Sequence, residues 1–159
     1  MRVKVNELLL EKIKGIVSYL YGIDFADAIL DGHDIEVEIS RSTGRVRHVF
    51  VDGVMVLTLR ASDGYLLPTI DGMKKVLEKL GPQYYVKVRR DAAEYIARGR
   101  SVFTKHVIEV DPRIRAGMEV MVVDEDCRLI AVGRALLSAR EIRDGVAGVC
   151  VKVRRGALE

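Results

Sequence analysis

The sequence predicts an α+β fold in two parts: helices laid on an antiparallel sheet, then a small, strongly bent sheet or pseudo-barrel. Three observations carry this. The apolar period changes from 3.6 to 2 after Gly32, an Asp52-Gly53 dipeptide joins two strand-like runs, and Gly81-Pro82 gives way to short apolar runs broken by turn residues. At 159 residues, 49% apolar and 31% charged, the chain suits one ordinary domain or two small ones. That excludes a single large catalytic barrel and a long disordered tract.

Over residues 6–21, Leu9, Ile13, Ile16, Val17 and Leu20 recur three and four apart, an amphipathic helix that Asn6 caps and Gly22 ends. A short second helix is expected over 25–30. Ile35, Val37 and Ile39 then alternate with Glu36 and Glu38, as in a strand with one buried face. Runs 45–51 and 54–60 flank Asp52-Gly53, which adopts the positive φ angles of a tight hairpin. Ile70, Met73, Leu77 and Leu80 restore helical spacing, with Thr69 or Asp71 as cap and Gly81-Pro82 as a stop, so a first domain is expected over 1–82.

A second domain is expected over 83–159. In 84–90, Val86 and Val88 alternate with Lys87 and Arg89, and Asp91-Ala-Ala-Glu94 reads as the capped start of a helix ending at Gly99. Strand-like runs at 107–110, 118–123 and 129–136 are separated by Asp111-Pro112, Gly117 and an acidic tip, Asp124-Glu125-Asp126. Ser138-Ala-Arg-Glu141 is a capping box, and Val149, Val151 and Val153 form a closing strand. Many short strands with two brief helices point to a bent sheet or pseudo-barrel.

Residues 1–11 have no continuous apolar core and no window approaches the ~20 apolar residues of a membrane span. A cytoplasmic protein without a processed leader or membrane association is expected. Cys127 and Cys150 lack the close spacing of zinc ligands and read as small core or loop residues. Residues 1–82 carry 11 Lys and Arg against 12 Asp and Glu, a balance of −1; residues 83–159 carry 15 against 11, a balance of +4. The basic excess lies in the second half.

No motif for catalysis, a metal or a cofactor is present: no G-x-S-x-G, P-loop, G-x-G-x-x-G or H-E-x-x-H surrounds His33, His48 or His106. His48 reads as a strand residue, and Asp63 in Arg60-Ala-Ser-Asp-Gly64 as turn chemistry rather than a catalytic carboxylate. The segment Gly99-Arg-Ser-Val-Phe-Thr-Lys-His106 supports two readings. Its glycine lets backbone N–H groups approach a phosphate, with Arg100, Lys105 and His106 as donors beside Phe103; alternatively it is a helix cap followed by a core Phe and solvated charges. Arg134, Lys152, Arg154 and Arg155 extend such a surface if the first and last strands of this half pair. Arg41, Arg45 and Arg47 form a second cationic cluster, with Glu36 and Glu38 as possible partners.

Three stretches carry a resemblance: Tyr95-Ile-Ala-Arg-Gly-Arg-Ser-Val102, Val110-Asp-Pro-Arg-Ile-Arg-Ala-Gly-Met-Glu-Val120 and Leu129-Ile-Ala-Val-Gly-Arg-Ala-Leu136. In their order of glycine loop, D-x-x-I-x-x-G-x-x-V and A-x-G-x-A, residues 86–155 resemble a PUA domain, an RNA-binding β pseudo-barrel. Gly44-Arg-Val-Arg-His-Val-Phe-Val-Asp-Gly53, Thr58-Leu-Arg-Ala-Ser-Asp-Gly64 and Thr69-Ile-Asp-Gly72 are similar to the domain preceding PUA in archaeal tRNA-guanine transglycosylases, the archaeosine enzymes. The resemblance implies recognition of tRNA at the acceptor stem and 3′ end, or of another structured RNA, through residues 99–106 with Arg134, Lys152 and Arg154. The family's catalytic barrel, aspartate nucleophile and zinc site have no counterpart, so it implies a non-catalytic subunit or stand-alone relative, with a catalytic transglycosylase subunit as a possible partner. A translation-associated RNA-binding adaptor at the ribosome is the alternative, and an enzyme acting at Asp63 or His106 a third.

Overall fold

In the first half, the positions that alternate or recur helically become elements whose apolar faces meet in one core. A computed structural model describes residues 1–159, which divide into two units, Met1–Leu80 and Gly81–Glu159. The first unit runs β1 (Arg2–Lys4), α1 (Glu7–Tyr21), α2 (Ile23–Leu30), β2 (Ile35–Ile39), β3 (Val46–Val51), β4 (Val54–Leu59), β5 (Leu66–Pro68) and α3 (Ile70–Leu80). Its five strands form one antiparallel sheet in chain order. Ile13, Val17, Phe25, Ile29, Val37, Val49, Leu57, Leu66, Met73 and Val76 fill its core.

The expected caps form: Asn6 Oδ1 accepts the Leu9 N–H at 2.8 Å, and Thr69 Oγ1 accepts the Gly72 N–H at 3.0 Å. Asp52 and Gly53 take φ of 50° and 84° at the hairpin tip. Asp52 also accepts the N–H groups of His33 and Asp34, tying the tip to the start of β2. Gly72 is buried where α3 crosses β4, and a Cβ there would lie 2.3 Å from the Val56 carbonyl oxygen. It sets how closely the helix approaches the sheet.

The pairing of Glu36 and Glu38 with the arginine cluster does not form. Across the strands Glu36 faces Lys4 and Phe50, and Glu38 faces Arg2 and His48. The edge strand β1, too short to show a period, places Lys4 and Arg2 opposite them, with the Arg2 guanidinium over the Phe50 ring. His48 is a strand residue, its Nε2 3.7 Å from Glu38 and its ring edge-on to Phe50. Asp63 is turn chemistry: Arg60 donates to both its oxygens and the Tyr65 N–H to Oδ1. The Arg60 guanidinium bonded to it holds its carboxyl below the usual range.

The second unit runs β6 (Tyr85–Val88), α4 (Arg90–Ala97), β7 (Val102–Phe103), a 3₁₀ turn at Thr104–His106, β8 (Val107–Val110), β9 (Glu119–Val123), β10 (Leu129–Ala135), α5 (Ala139–Arg143) and β11 (Val149–Gly156). Its six-stranded sheet has the order β7-β11-β10-β9-β6-β8, antiparallel except for the parallel β6-β9 pair, and curls into a nearly closed barrel. Val86, Val88, Ile96, Val102, Ile114, Val120, Val122, Ala131 and Val151 are among its core residues.

The Ser138–Glu141 capping box forms as expected, the N–H of each residue donating to the side chain of the other. The start of α4 does not. Asp91 lies inside the first turn, ion-paired with Arg89, and Glu125 of the acidic tip accepts the Arg90 N–H at 2.7 Å. A carboxylate distant in sequence caps the helix from outside. The first and last strands of this unit also do not pair, because β11 lies between β7 and β10. Asp111 is a structural carboxylate: nearly fully buried, it accepts the N–H groups of Tyr84 and Arg113 and the Arg113 guanidinium. Cys150 is buried in the core and Cys127 sits in the β9-β10 turn.

Candidate nucleic-acid interface

The Gly99 loop begins where α4 runs out of hydrogen-bond partners. Gly99, at φ +103°, donates to the Ile96 carbonyl, and Arg100 donates to that of Tyr95, a Schellman arrangement. Those two N–H groups are therefore committed to ending the helix and are not aimed at a ligand. The space above the glycine is also used: a Cβ there would lie 2.8 Å from the Glu159 carboxylate, whose Oε1 accepts the Gly156 N–H. Of the two readings of this segment, the helix cap is the one that uses the Gly99 and Arg100 amides.

After the cap, the chain enters β7. Val102 pairs with Val151 and is fully buried, so its side chain belongs to the core. Alternation about Val102 places Ser101 and Phe103 on the opposite, outward face, and Phe103 is 42% exposed. Lys105 Nζ stands 5.8 Å from the Phe103 ring centroid, and the His106 ring meets that ring edge-on at 5.7 Å. His106 Nδ1 accepts the Phe103 N–H at 3.4 Å, which requires the neutral ring. Burial, with Lys105 and Arg89 nearby, pushes the imidazole pKa below its ordinary value. His106 is thus a neutral brace for Phe103 rather than a cation.

The next two strands continue the outward face. On β11, Lys152 follows the buried Val151; on β10, Arg134 lies between the buried Gly133 and Ala135; the two cations sit directly opposite each other. Adjacent strands are ~4.8 Å apart, and like charges so placed repel. Both side chains are exposed and neither has an ion-pair partner. Arg154 differs: its guanidinium is ion-paired with Glu119, a carboxylate 4% exposed that faces Arg134 across β9 and β10. Its charge is spent within the fold. Arg100 is exposed at the loop, also without an ion pair. Ser101, Lys152 and Arg134 therefore lie on the outward faces of three adjacent strands, with Phe103 further along β7, opposite Val149. Sequence spacing could not reveal this arrangement, because it depends on β11 lying between β7 and β10.

The chain carries no group of three or more His, Cys, Asp or Glu that could hold a metal, and no helix long and apolar enough to cross a membrane.

Comparison with known proteins agrees with this architecture. Residues 84–157 match the PUA domain, and residues 11–83 match the patch-forming domain C2 of tRNA-guanine transglycosylase. Among curated relatives, the tRNA-guanine(15) transglycosylase of Methanobrevibacter smithii is 38% identical over 148 residues, covering 92% of this chain and 22% of that enzyme. Its counterpart from Methanothermobacter thermautotrophicus is 35% identical over 150 residues, covering 94% and 23%. The chain spans less than a quarter of the length of these relatives. Among solved structures, a hypothetical protein from Pyrococcus horikoshii superposes with a TM-score of 0.78 at 21% identity, covering all of this chain and 96% of that one. A PUA domain protein from Aeropyrum pernix gives 0.73 at 19%, covering 100% and 87%. Both likenesses concern the fold. Residues 11–83 are thus a transglycosylase-type C2 domain and residues 84–157 a PUA domain.

Proposed function

We propose that the chain binds tRNA, at the acceptor stem and single-stranded 3′ end, and serves tRNA modification as a non-catalytic cytoplasmic subunit or relative of a tRNA-guanine transglycosylase. One observation carries the reading: Arg134 and Lys152 stand opposed, exposed and without ion pairs, on strands next to the edge strand that carries the exposed Phe103, in a chain whose relatives act on tRNA. Two like charges in register repel, and a polyanion relieves that repulsion. Phe103, with Lys105 over its ring, offers a stacking surface for an unpaired base, and Arg100 and Lys105 reach for the phosphates on either side. The matches of residues 11–83 to domain C2 and of residues 84–157 to a PUA domain support a binding role.

The test is the affinity of an unfractionated tRNA transcript for the wild-type chain and for Arg100→Ala and Lys105→Ala. Each variant is expected to bind more weakly and to flatten the salt dependence by about one phosphate contact. An unchanged salt slope in both would remove residues 100–106 from the interface.

A further inference from the structure

The first unit contains a cleft of about 340 Å³ between α1 and the strand ends and turns around Gly44 and Gly64. Its floor is apolar, formed by Ile13, Ile16, Val46 and Leu59. Its rim is cationic: Lys12 projects from α1 and Arg45 from the β2-β3 turn, and no acidic residue lines it. The Arg45 guanidinium lies over Gly64, where a Cβ would come within 2.7 Å of it, so the glycine leaves room for the cation at the mouth. Arg41 and Arg47 flank Arg45 in the chain. All three arginines are exposed and without ion pairs, because Glu36 and Glu38 face β1 and the outer side of β3 instead.

We propose that this cleft is a second RNA site that holds one unpaired nucleotide, its base against the apolar floor and its phosphate between Lys12 and Arg45. This rests on the RNA-binding reading of the chain, but uses none of the residues of the PUA face. The volume lies within the range of small-ligand sites, and an apolar floor with convergent polar groups is how such sites are built. A duplex backbone would use the rim and leave the floor exposed, whereas an unstacked base uses both.

The experiment uses the full chain and a tRNA transcript carrying 4-thiouridine, with binding read against salt and crosslinks mapped to peptides. Lys12→Ala/Arg45→Ala changes only exposed side chains, and its thermal midpoint serves as the control for folding. It is expected to lower the slope of log K on log salt by about 1.4–1.8, two phosphate contacts' worth, and to abolish crosslinks to residues 9–16 and 44–46. Ile16→Glu, which puts a carboxylate on the floor, should abolish the same crosslinks. Arg100→Ala/Lys105→Ala should keep them. An unchanged slope with no crosslink in this region in the wild type would overturn the cleft while leaving the PUA face standing. Crosslinks that survive Ile16→Glu would overturn placement of the base. Loss of slope in the cleft variant but not in the Arg100/Lys105 variant would support the cleft and count against the PUA face.

Discussion

Arg134 and Lys152 offer the sharpest contrast with Arg154, because three cations on two neighbouring strands are assigned opposite roles. The double variant Arg134→Ala/Lys152→Ala removes two exposed, unpaired charges whose Cα positions are register partners. If each neutralises one phosphate, the slope of log K against log salt falls by about 0.7–0.9 per contact, or about 1.4–1.8 in all. Between 50 and 200 mM salt each contact is worth about 2.6- to 3.5-fold, so the double variant should lose about 7- to 12-fold less affinity than wild type over that interval. Arg154→Ala instead uncovers the buried Glu119 carboxylate. Because Arg154 is itself a third exposed, the cost falls at the lower end of that for a broken buried pair, about 3 kcal/mol. Its thermal midpoint should drop while its salt slope stays at the wild-type value. Fluorescence anisotropy of a labelled tRNA transcript at four salt concentrations, with a thermal scan of each variant, reads both quantities. A wild-type slope in the double variant, or a flattened slope in Arg154→Ala, would refute the assignment.

Two further predictions concern the scaffold. Gly72→Ala places a methyl 2.3 Å from a backbone carbonyl that α3 and β4 hold in place, and the overpacking cost of about 1–3 kcal/mol should exceed the gain in helix propensity of about 1 kcal/mol; Gly15→Ala, with nothing within 4 Å, should show that gain alone. Urea midpoints moving in opposite directions are expected, and a stabilised Gly72→Ala would contradict the packing described. For Asp111, burial acts to raise the carboxyl pKa, but hydrogen bonds from Arg113 and the Tyr84 N–H outweigh it and hold it below the usual carboxylate range. A depressed folded pKa gives stability that is present above the unfolded value of about 3.9 and is lost as pH falls through the folded one. The stability gap between wild type and Asp111→Asn should therefore be widest near neutrality and close on acidification, and a gap independent of pH between 7 and 3 would contradict this role.

What the sequence made legible was local. Asn6, the Asp52-Gly53 tip and the Ser138–Glu141 box act within three residues of themselves, and all three form as their chemistry predicts. Period 3.6 over 6–21 likewise marks a real helix, with Ile13, Val17 and Tyr21 buried along one face, and period 2 over 35–39 a real strand, with Val37 buried at its centre. The three-residue strands β1 and β5 are too short to carry a period, and they were missed. Partners distant in sequence were missed too: Glu125 on the Arg90 amide, Glu119 on Arg154, and Lys4 and Arg2 opposite Glu36 and Glu38. The same limit governed the site. The glycine at 99 was legible as the end of a helix, but not that Glu159 fills the space above it. Nor could spacing show that β11 inserts between β7 and β10 and brings Lys152 between Ser101 and Arg134.

The proposed capture of a tRNA terminus is tested by comparing one transcript with the same transcript lacking its single-stranded 3′ end, at two salt concentrations. A loss of affinity on trimming that persists at the higher salt is expected, because stacking on Phe103 is lost as well as phosphate contacts. Equal affinity for the two transcripts, falling equally with salt, would contradict it and leave only a basic surface.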